Sequence, residues 1–239
     1  MNSDVELKKI IGLADACELL GALYRYPDQA IADAVKDGSI KEDAYSCLID
    51  AGIEDAVAED LTRSFYQPEH DNVMGSLRRC HSFLYERQGR GVPIFPYEGA
   101  YLHTSAGRPG SPALFRSPVA LKVEGLMREV GVIPKDSRVE PCDSVWDEFE
   151  FLSFLLGSLA QFSLNGDAES YNKFKKVLAT TNAEHIQKWL PRFFEDSLVL
   201  MTDLHDAQKI DDTAFVFCSD IVRYGQTVIS LLSVLVESE

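Results

Sequence analysis

Apolar residues recur at steps of three and four along most of the chain, which predicts amphipathic helices. The most hydrophobic stretch spans residues 144–164, where the apolar stripe is wide enough to bury a helix on much of its circumference. We find no convincing alternation of apolar and polar residues, the pattern that marks a half-buried strand. The pattern therefore predicts an all-α fold, a single globular domain of about ten to twelve helices.

Helix start and stop signals divide this pattern into segments. The predicted helices span residues 5–26, 28–36, 41–51, 54–66, 72–87, 119–130, 144–164, 168–179, 183–189 and 192–205, with a last one from 211 or 212 to 236. Asn182 is expected to cap the helix 183–189, because its short polar side chain favours that position. Pro191 is expected to kink or break the chain before the helix 192–205.

The segment 88–118 interrupts the helical pattern, because Gly and Pro residues recur throughout it. A long loop in a compact protein is usually functional or a hinge. We therefore predict one domain over 1–239, made of an N-terminal half 1–88, a hinge loop 89–118 and a C-terminal half 119–239. The aromatic run 95–102 within the loop is expected to pack against the core and to leave some apolar surface exposed.

Charge and cysteine content narrow the class of protein. The net charge of −15 argues against a nucleic-acid partner and fits a cationic partner better. The five cysteines are scattered and form no Cys-x-x-Cys pair, which argues against a disulfide framework and a zinc ribbon and predicts reduced thiols in the cytoplasm. The N-terminus lacks the apolar core of a secretory signal, and the apolar stretch 227–236 is too short to span a bilayer, so no stable membrane insertion is expected.

An acidic corner, Glu140-Pro141-x-Asp143, leads directly into the hydrophobic helix 144–164. Pro141 pushes Glu140 out of helical geometry, and Ser144 with Asp147 approximates a capping box. Acidic residues at a helix N-terminus stabilise it by about 0.3–1 kcal/mol each, which explains the cluster without any function. The tight Glu-Pro-x-Asp spacing is left unexplained by that interpretation.

The residues give little support to catalysis or cofactor binding. No two of the five histidines have the i, i+4 spacing of metal ligands on a helix, and the segment 107–111 lacks the Gly-Lys-Ser/Thr ending of a phosphate-binding loop. We therefore predict no catalytic residue, no metal and no cofactor. Two alternatives stay open: a helical hydrolase or metal-binding protein that uses the carboxylates around Asp143, and a helical scaffold that binds an amphipathic helix.

Four stretches, in order along the chain, resemble motifs of the TorD/DmsD/NarJ family of molybdoenzyme-specific chaperones, and of its TorD/DmsD-like branch. They are Leu23-Tyr24-x-Tyr26-Pro27, Pro96-Tyr97-Glu98-Gly99-x-Tyr101-Leu102, Glu140-Pro141-x-Asp143 and His185-Ile186-x-x-Trp189-Leu190-Pro191-x-Phe193. Family members commonly have His after the motif Asp, and Ser144 stands there in this chain. A role that needs an imidazole at that position is therefore not expected of this chain.

The resemblance implies a cytoplasmic, non-enzymatic chaperone for a molybdopterin-dependent oxidoreductase. Its partners would be the twin-arginine leader and the apo form of the catalytic subunit, and also Tat translocation components. It would assist cofactor insertion and delay export until the client has folded. The family's hinge exchange leaves a monomer and a hinge-swapped dimer both open.

The resemblance also implies a site for the leader peptide. Glu140, Asp143 and Glu148 would face the two arginines, because carboxylates bind guanidinium groups strongly. Aromatic residues would line an apolar groove, although each of them is also a natural core residue. The expected site residues are Glu140, Pro141, Asp143, Ser144, Trp146, Glu148, Tyr97, Glu98 and Tyr101.

Overall fold

The computed structural model describes residues 2–86, 91–133 and 140–237, and every regular element in these ranges is a helix. The elements are α1 Asn2–Tyr24, α2 Gln29–Asp37, α3 Ser39–Asp50, α4 Asp55–Thr62 with a 3-10 turn Arg63–Phe65, α5 Val73–Tyr85, α6 Glu98–Ser105, α7 Pro118–Glu129, α8 Val145–Asn165, α9 Ala168–Thr181, a π turn Asn182–Ile186, α10 Gln187–Asp206 and α11 Asp212–Glu237. Because α9, the π turn and α10 follow one another without a break, these ranges hold ten continuous helices. The all-α prediction is confirmed.

Helix α8 packs most extensively against α1 and also lies against α9, while α10 packs on α11. The close approach of α1 and α8 depends on Gly21, since a Cβ there would lie 3.3 Å from the carbonyl oxygen of Trp146. Apolar residues from both ends of the chain join in one continuous core. The predicted N-terminal and C-terminal halves therefore share that core.

Several helix starts agree with the capping signals of the sequence. The Ser144 hydroxyl accepts a hydrogen bond from the Asp147 N–H at 3.2 Å and donates one to Asp147 Oδ2 at 2.8 Å. Asp167 caps α9 by accepting from Ser170 N, and Gly166 ends α8 in the left-handed region at φ 68°. These side chains satisfy backbone groups that the helix itself leaves unpaired.

The prediction for the region around Asn182 and Pro191 is wrong. Asn182 does not cap a new helix, because it begins a π turn inside a continuous one, and Pro191 lies within α10. Proline has no N–H and its ring crowds the carbonyl four residues earlier, which would ordinarily break a helix. Here the π turn directly upstream changes the backbone spacing, and the helix continues.

The loop segment is more ordered than its composition indicates. Within residues 91–118 the chain forms the eight-residue helix α6, and Ile94, Ala100 and Tyr101 are buried in line with the expected packing of the aromatic run. Residues 87–90 and 134–139 lie outside the described ranges, and with them the predicted end of helix 72–87 and most of the link to the acidic corner. The hinge function of 89–118 stays a prediction.

Among the described residues, α11 is the one helix long and apolar enough to cross a membrane by length and composition. Half of that apolar stretch is buried inside the molecule, as in a core helix. Asp220, which pairs with Arg223 at 3.0 Å, lies in the same helix. Such evidence for a membrane span is weak.

Gly12 provides a test of the packing between α1 and the end of α3. A Cβ at this position would lie 2.6 Å from Ala51 N, so the backbone would have to move. We expect Gly12→Ala to lower the free energy of unfolding by about 1–3 kcal/mol in chemical denaturation.

The matched control is Gly157→Ala on the exposed face of α8, where an added Cβ meets nothing within 4 Å. Alanine favours the helix there, so we expect a gain of about 0.5–1 kcal/mol. Equal effects of the two substitutions would contradict the close packing at Gly12.

Candidate functional site

Two segments that are distant in sequence join at the acidic corner. The N–H of Glu98 donates to the Asp143 carbonyl at 2.8 Å, and the N–H of Val145 donates to the Pro96 carbonyl at 3.0 Å. These two bonds form an isolated antiparallel bridge between Tyr97 and Ser144. The start of α6 is thereby fixed against the start of α8.

The Asp143 carboxylate strengthens this junction from the inside. Its Oδ2 atom accepts from the Gly99 N–H at 3.0 Å and from the Ser117 hydroxyl at 3.5 Å. A Cβ on Gly99 would lie 2.7 Å from Ser117 Oγ and 3.1 Å from Asp143 Oδ2, so a larger residue would push the segments apart. Asp143 thus connects the N-termini of three helices, α6, α7 and α8.

A second set of buried polar groups lies beside Asp143. His185 Nδ1 is 2.7 Å from Glu98 Oε2, and the Trp189 N–H donates to Glu148 Oε2 at 2.8 Å. Glu98, Glu148 and His185 are each at most 3% exposed. Asp143 Oδ1 and Glu148 Oε1 have no hydrogen-bond partner in the described structure.

Burial and crowding alter the protonation of these carboxyl groups. Burial, together with the neighbouring Glu98 carboxylate, raises the pKa of Asp143 to about 6. Burial and the same neighbour raise the pKa of Glu148 well above its ordinary value. A charged carboxylate is costly in a low-dielectric interior, so the protonated form is favoured there.

A surface set of charges surrounds Arg25 at the end of α1. Its guanidinium donates to Glu150 Oε1 at 2.7 Å and 3.1 Å and to Asp147 Oδ1 at 3.2 Å, and it also attracts the Glu140 carboxylate. The pKa values of Glu140 and Asp147 are nevertheless raised, by partial burial first and then by repulsion from neighbouring carboxylates. We call Glu140, Asp147 and Glu150 the outer carboxylates.

Aromatic side chains contact both the surface charges and the buried ones. Trp146 makes an edge contact with Tyr97 at 5.6 Å between ring centroids, and the Tyr97 hydroxyl donates to Glu140 Oε1 at 3.3 Å. Tyr101 packs on Trp189 and directs its hydroxyl to Asp196 Oδ2 at 2.7 Å. Tyr101 is therefore part of the core, with only its hydroxyl reaching a surface group.

The structure brings the predicted site residues together, but most of them are not accessible. Glu140 and Tyr97 are half-buried. The other predicted residues are buried, namely Pro141, Asp143, Ser144, Trp146, Glu148, Glu98 and Tyr101. The Asp143 and Glu148 carboxylates point into the protein and accept hydrogen bonds from its own N–H groups, so their contact with the arginines of a leader stays a prediction.

Sequence reasoning missed two features of the site. Arg25 and Glu150 were not predicted, because 125 residues separate them and nothing local indicates their pairing. His185 and Trp189 are spaced as neighbours on one helical face, but their partners Glu98 and Glu148 come from other helices. The i, i+3 spacing of Asp147 and Glu150 indicates that these two acids share a face of α8, but it does not indicate their partner Arg25.

Comparison with known protein families identifies the family of this chain. The model of the family described as nitrate reductase delta subunit matches residues 52–195, more than half of the chain. The protein therefore belongs to this family of NarJ/TorD-type chaperones, which act with the catalytic subunits of molybdoenzymes during maturation. The match covers α6, the acidic corner and the π turn, whereas Arg25 lies before it. A search of curated proteins gave no match.

The raised pKa of Asp143 predicts a pH dependence of stability. Because the folded protein holds this proton up to about pH 6 while the unfolded chain releases it near 3.8, stability falls as pH rises through that window. The loss at pH 7 is about 3 kcal/mol. We expect Asp143→Asn to gain stability relative to the natural protein between pH 4 and pH 7, measured by urea denaturation.

Asp167→Asn is the control for this experiment. The pKa of the exposed Asp167 is lowered by hydrogen bonds from Ser170, so its carboxylate stabilises the folded state above its unfolded pKa, and this contribution disappears as pH falls. Because this change falls below the unfolded pKa of 3.8, the relative stability of Asp167→Asn should stay nearly constant between pH 4 and pH 7. A pH-independent difference for Asp143→Asn would contradict the assigned protonation.

Proposed function

We propose that this protein is a cytoplasmic chaperone, without enzymatic activity, that binds the twin-arginine leader and the apo form of a molybdopterin-dependent oxidoreductase. It assists cofactor insertion and delays export until the client has folded. Membership of the molybdoenzyme maturation family supports the client class. The cytoplasm follows from the proposal, since a leader is available for binding only before export.

The observation that carries the proposal is the binding of a guanidinium group by the outer carboxylates. Arg25 already contacts Glu150 and Asp147 with the charge-assisted geometry that a leader arginine would use. The three outer carboxylates have Arg25 as their basic neighbour, so the cluster retains excess negative charge. Arg25 donates hydrogen bonds to Glu150 and Asp147, whereas the Glu140 carboxylate accepts its hydrogen bond from the Tyr97 hydroxyl.

An apolar cavity adjoins this charge cluster. A small cavity with largely apolar walls lies next to Arg25, lined by Leu23, Tyr24 and Pro27 of the N-terminal stretch and by residues of α5, α10 and α11. Tyr97 and Trp146 lie on the side of Glu140. A basic leader with an apolar segment needs both kinds of contact, and Arg25 borders both the outer carboxylates and the cavity.

The buried motif residues have an indirect role in this proposal. Asp143 holds the 96–99 segment against the start of α8, which fixes Tyr97 and Glu140 at the surface. Ser144 and Asp147 form the cap that orients the first turn of α8. Changes at these buried positions should therefore act on binding through the geometry of the outer carboxylates.

Calorimetric titration with a twin-arginine leader peptide tests the proposal directly. We expect micromolar binding, about −8 kcal/mol, that weakens with salt and in a peptide with both arginines replaced by glutamine. The variant Glu140→Gln/Glu150→Gln should bind about tenfold more weakly, because it removes two of the three outer carboxylates.

Glu184→Gln is the control, since Glu184 is an exposed acid outside α8 that pairs with Lys188 four residues later. Its leader affinity should equal that of the natural protein. Binding that ignores the paired arginines would favour a helical scaffold instead, and absence of any binding would reject the leader as ligand.

A substitution at Arg25 is expected to raise the leader affinity, whereas the substitutions at Glu140 and Glu150 lower it. If a leader arginine takes the position that the Arg25 guanidinium occupies, Arg25→Gln releases Asp147 and Glu150 for the peptide. We expect leader affinity to rise about threefold to tenfold, or roughly 0.7–1.4 kcal/mol.

Arg128→Gln provides the comparison, because Arg128 forms a similar surface pair with Glu124 at 2.6 Å. That variant loses the same charge away from the outer carboxylates, so it controls for net charge. Weaker binding by Arg25→Gln than by Arg128→Gln would show that Arg25 supports the leader site and does not compete for it.

A further inference from the structure

Three side chains from different segments come together in the core behind the acidic corner. They are Glu98 at the start of α6, Glu148 in the first turn of α8 and His185 in the π turn. A carboxylate oxygen from each glutamate and a ring nitrogen of His185 all lie within 4.8 Å of one another. One imidazole and two carboxylates form a donor set suited to first-row divalent cations.

The present hydrogen bonds leave part of this donor set unused. Glu148 is 1% exposed, and its Oε1 atom has no partner although Oε2 accepts from Trp189. A buried carboxylate oxygen without a partner is uncommon in folded proteins, because its desolvation is not compensated. Asp143 Oδ1, close enough for its carboxylate to interact with Glu98 and Glu148, is unpartnered as well.

The negative charge of Glu98 and Glu148 also favours a positively charged species between them. Two carboxylates face each other in an interior where like charges repel strongly, and the imidazole is the one basic group among the three. Either a proton held between the glutamates or a metal cation would offset this repulsion. A proton satisfies one oxygen of a pair, whereas a cation binds all three side chains at once.

We propose that Glu98, Glu148 and His185 form a binding site for a divalent transition-metal cation of the zinc class. Zinc lies about 2.0–2.2 Å from nitrogen and oxygen ligands, so tetrahedral neighbours are about 3.4 Å apart. His185 Nδ1 and Glu98 Oε2, now 2.7 Å apart, would separate by less than an ångström to admit it. The ion would replace their direct hydrogen bond and would bind the free oxygen of Glu148.

Such an ion would cross-link the segments that carry three of the four motif stretches. Glu98 lies next to Tyr97, and Glu148 lies next to Asp147, so two ligands adjoin residues of the surface site. A bound cation would therefore stiffen the support of the outer carboxylates. This site goes beyond leader recognition and does not depend on it.

The test uses the full-length protein after treatment with a chelator, with Zn²⁺ alone as the probe. Equilibrium dialysis followed by metal analysis should give one Zn²⁺ per chain at low micromolar concentration, with a rise in the melting temperature. Co²⁺ should produce the visible absorption of a nitrogen and oxygen ligand set. Glu148→Gln should weaken Zn²⁺ binding at least thirtyfold and abolish the thermal shift.

Two controls keep the outcome decisive. The side-chain amide introduced by Glu148→Gln can still accept the hydrogen bond of Trp189, so the metal-free variant should fold, and circular dichroism checks that it does. Asp212→Asn removes the exposed His205 and Asp212 pair, which has the same 2.7 Å separation, and should leave the stoichiometry and affinity unchanged. Absence of stoichiometric binding, or equal binding by Glu148→Gln, would overturn the proposal and assign the space to a proton shared by the glutamates.

Discussion

The junction between the 96–99 segment and the start of α8 is the constraint on which the candidate site depends. It combines the backbone bonds of Glu98 and Val145 with the buried Asp143 carboxylate, which accepts from Gly99. A carboxylate is costly to bury, and here hydrogen bonds from neighbouring segments compensate part of that cost. The junction sets where the side chains of Tyr97 and Glu140 meet the surface.

Helical geometry places the acids of the acidic corner in two different environments. Glu148 points into the core, whereas Asp147 and Glu150 lie on the outer side of the same helix and meet Arg25. Positions one apart on a helix face different directions, so neighbouring acids in sequence need not share an environment. The inner carboxylates join segments of the core, and the outer ones lie at the surface, where Asp147 and Glu150 bind the Arg25 guanidinium.

The end of α1 lies outside the region that matches the family, but it packs against helices inside that region. Tyr24 packs between Phe149 and Phe194, with ring centroids 6.1 Å apart in each case, and this contact fixes the last turn of α1 against α8. The next residue, Arg25, is thereby held over Asp147 and Glu150. A residue outside the matched region 52–195 thus completes the charge cluster.

The sequence by itself determined the helical class, most helix boundaries and the caps at Ser144, Gly166 and Asp167, because these depend on local periodicity and short-range hydrogen bonds. It did not foresee the π turn Asn182–Ile186 or the position of Pro191 inside the continuous helix that follows. Only the tertiary structure decided which acids are buried and which are accessible. Partners such as Glu98 and His185, 87 residues apart, meet through packing, and no local pattern encodes that contact.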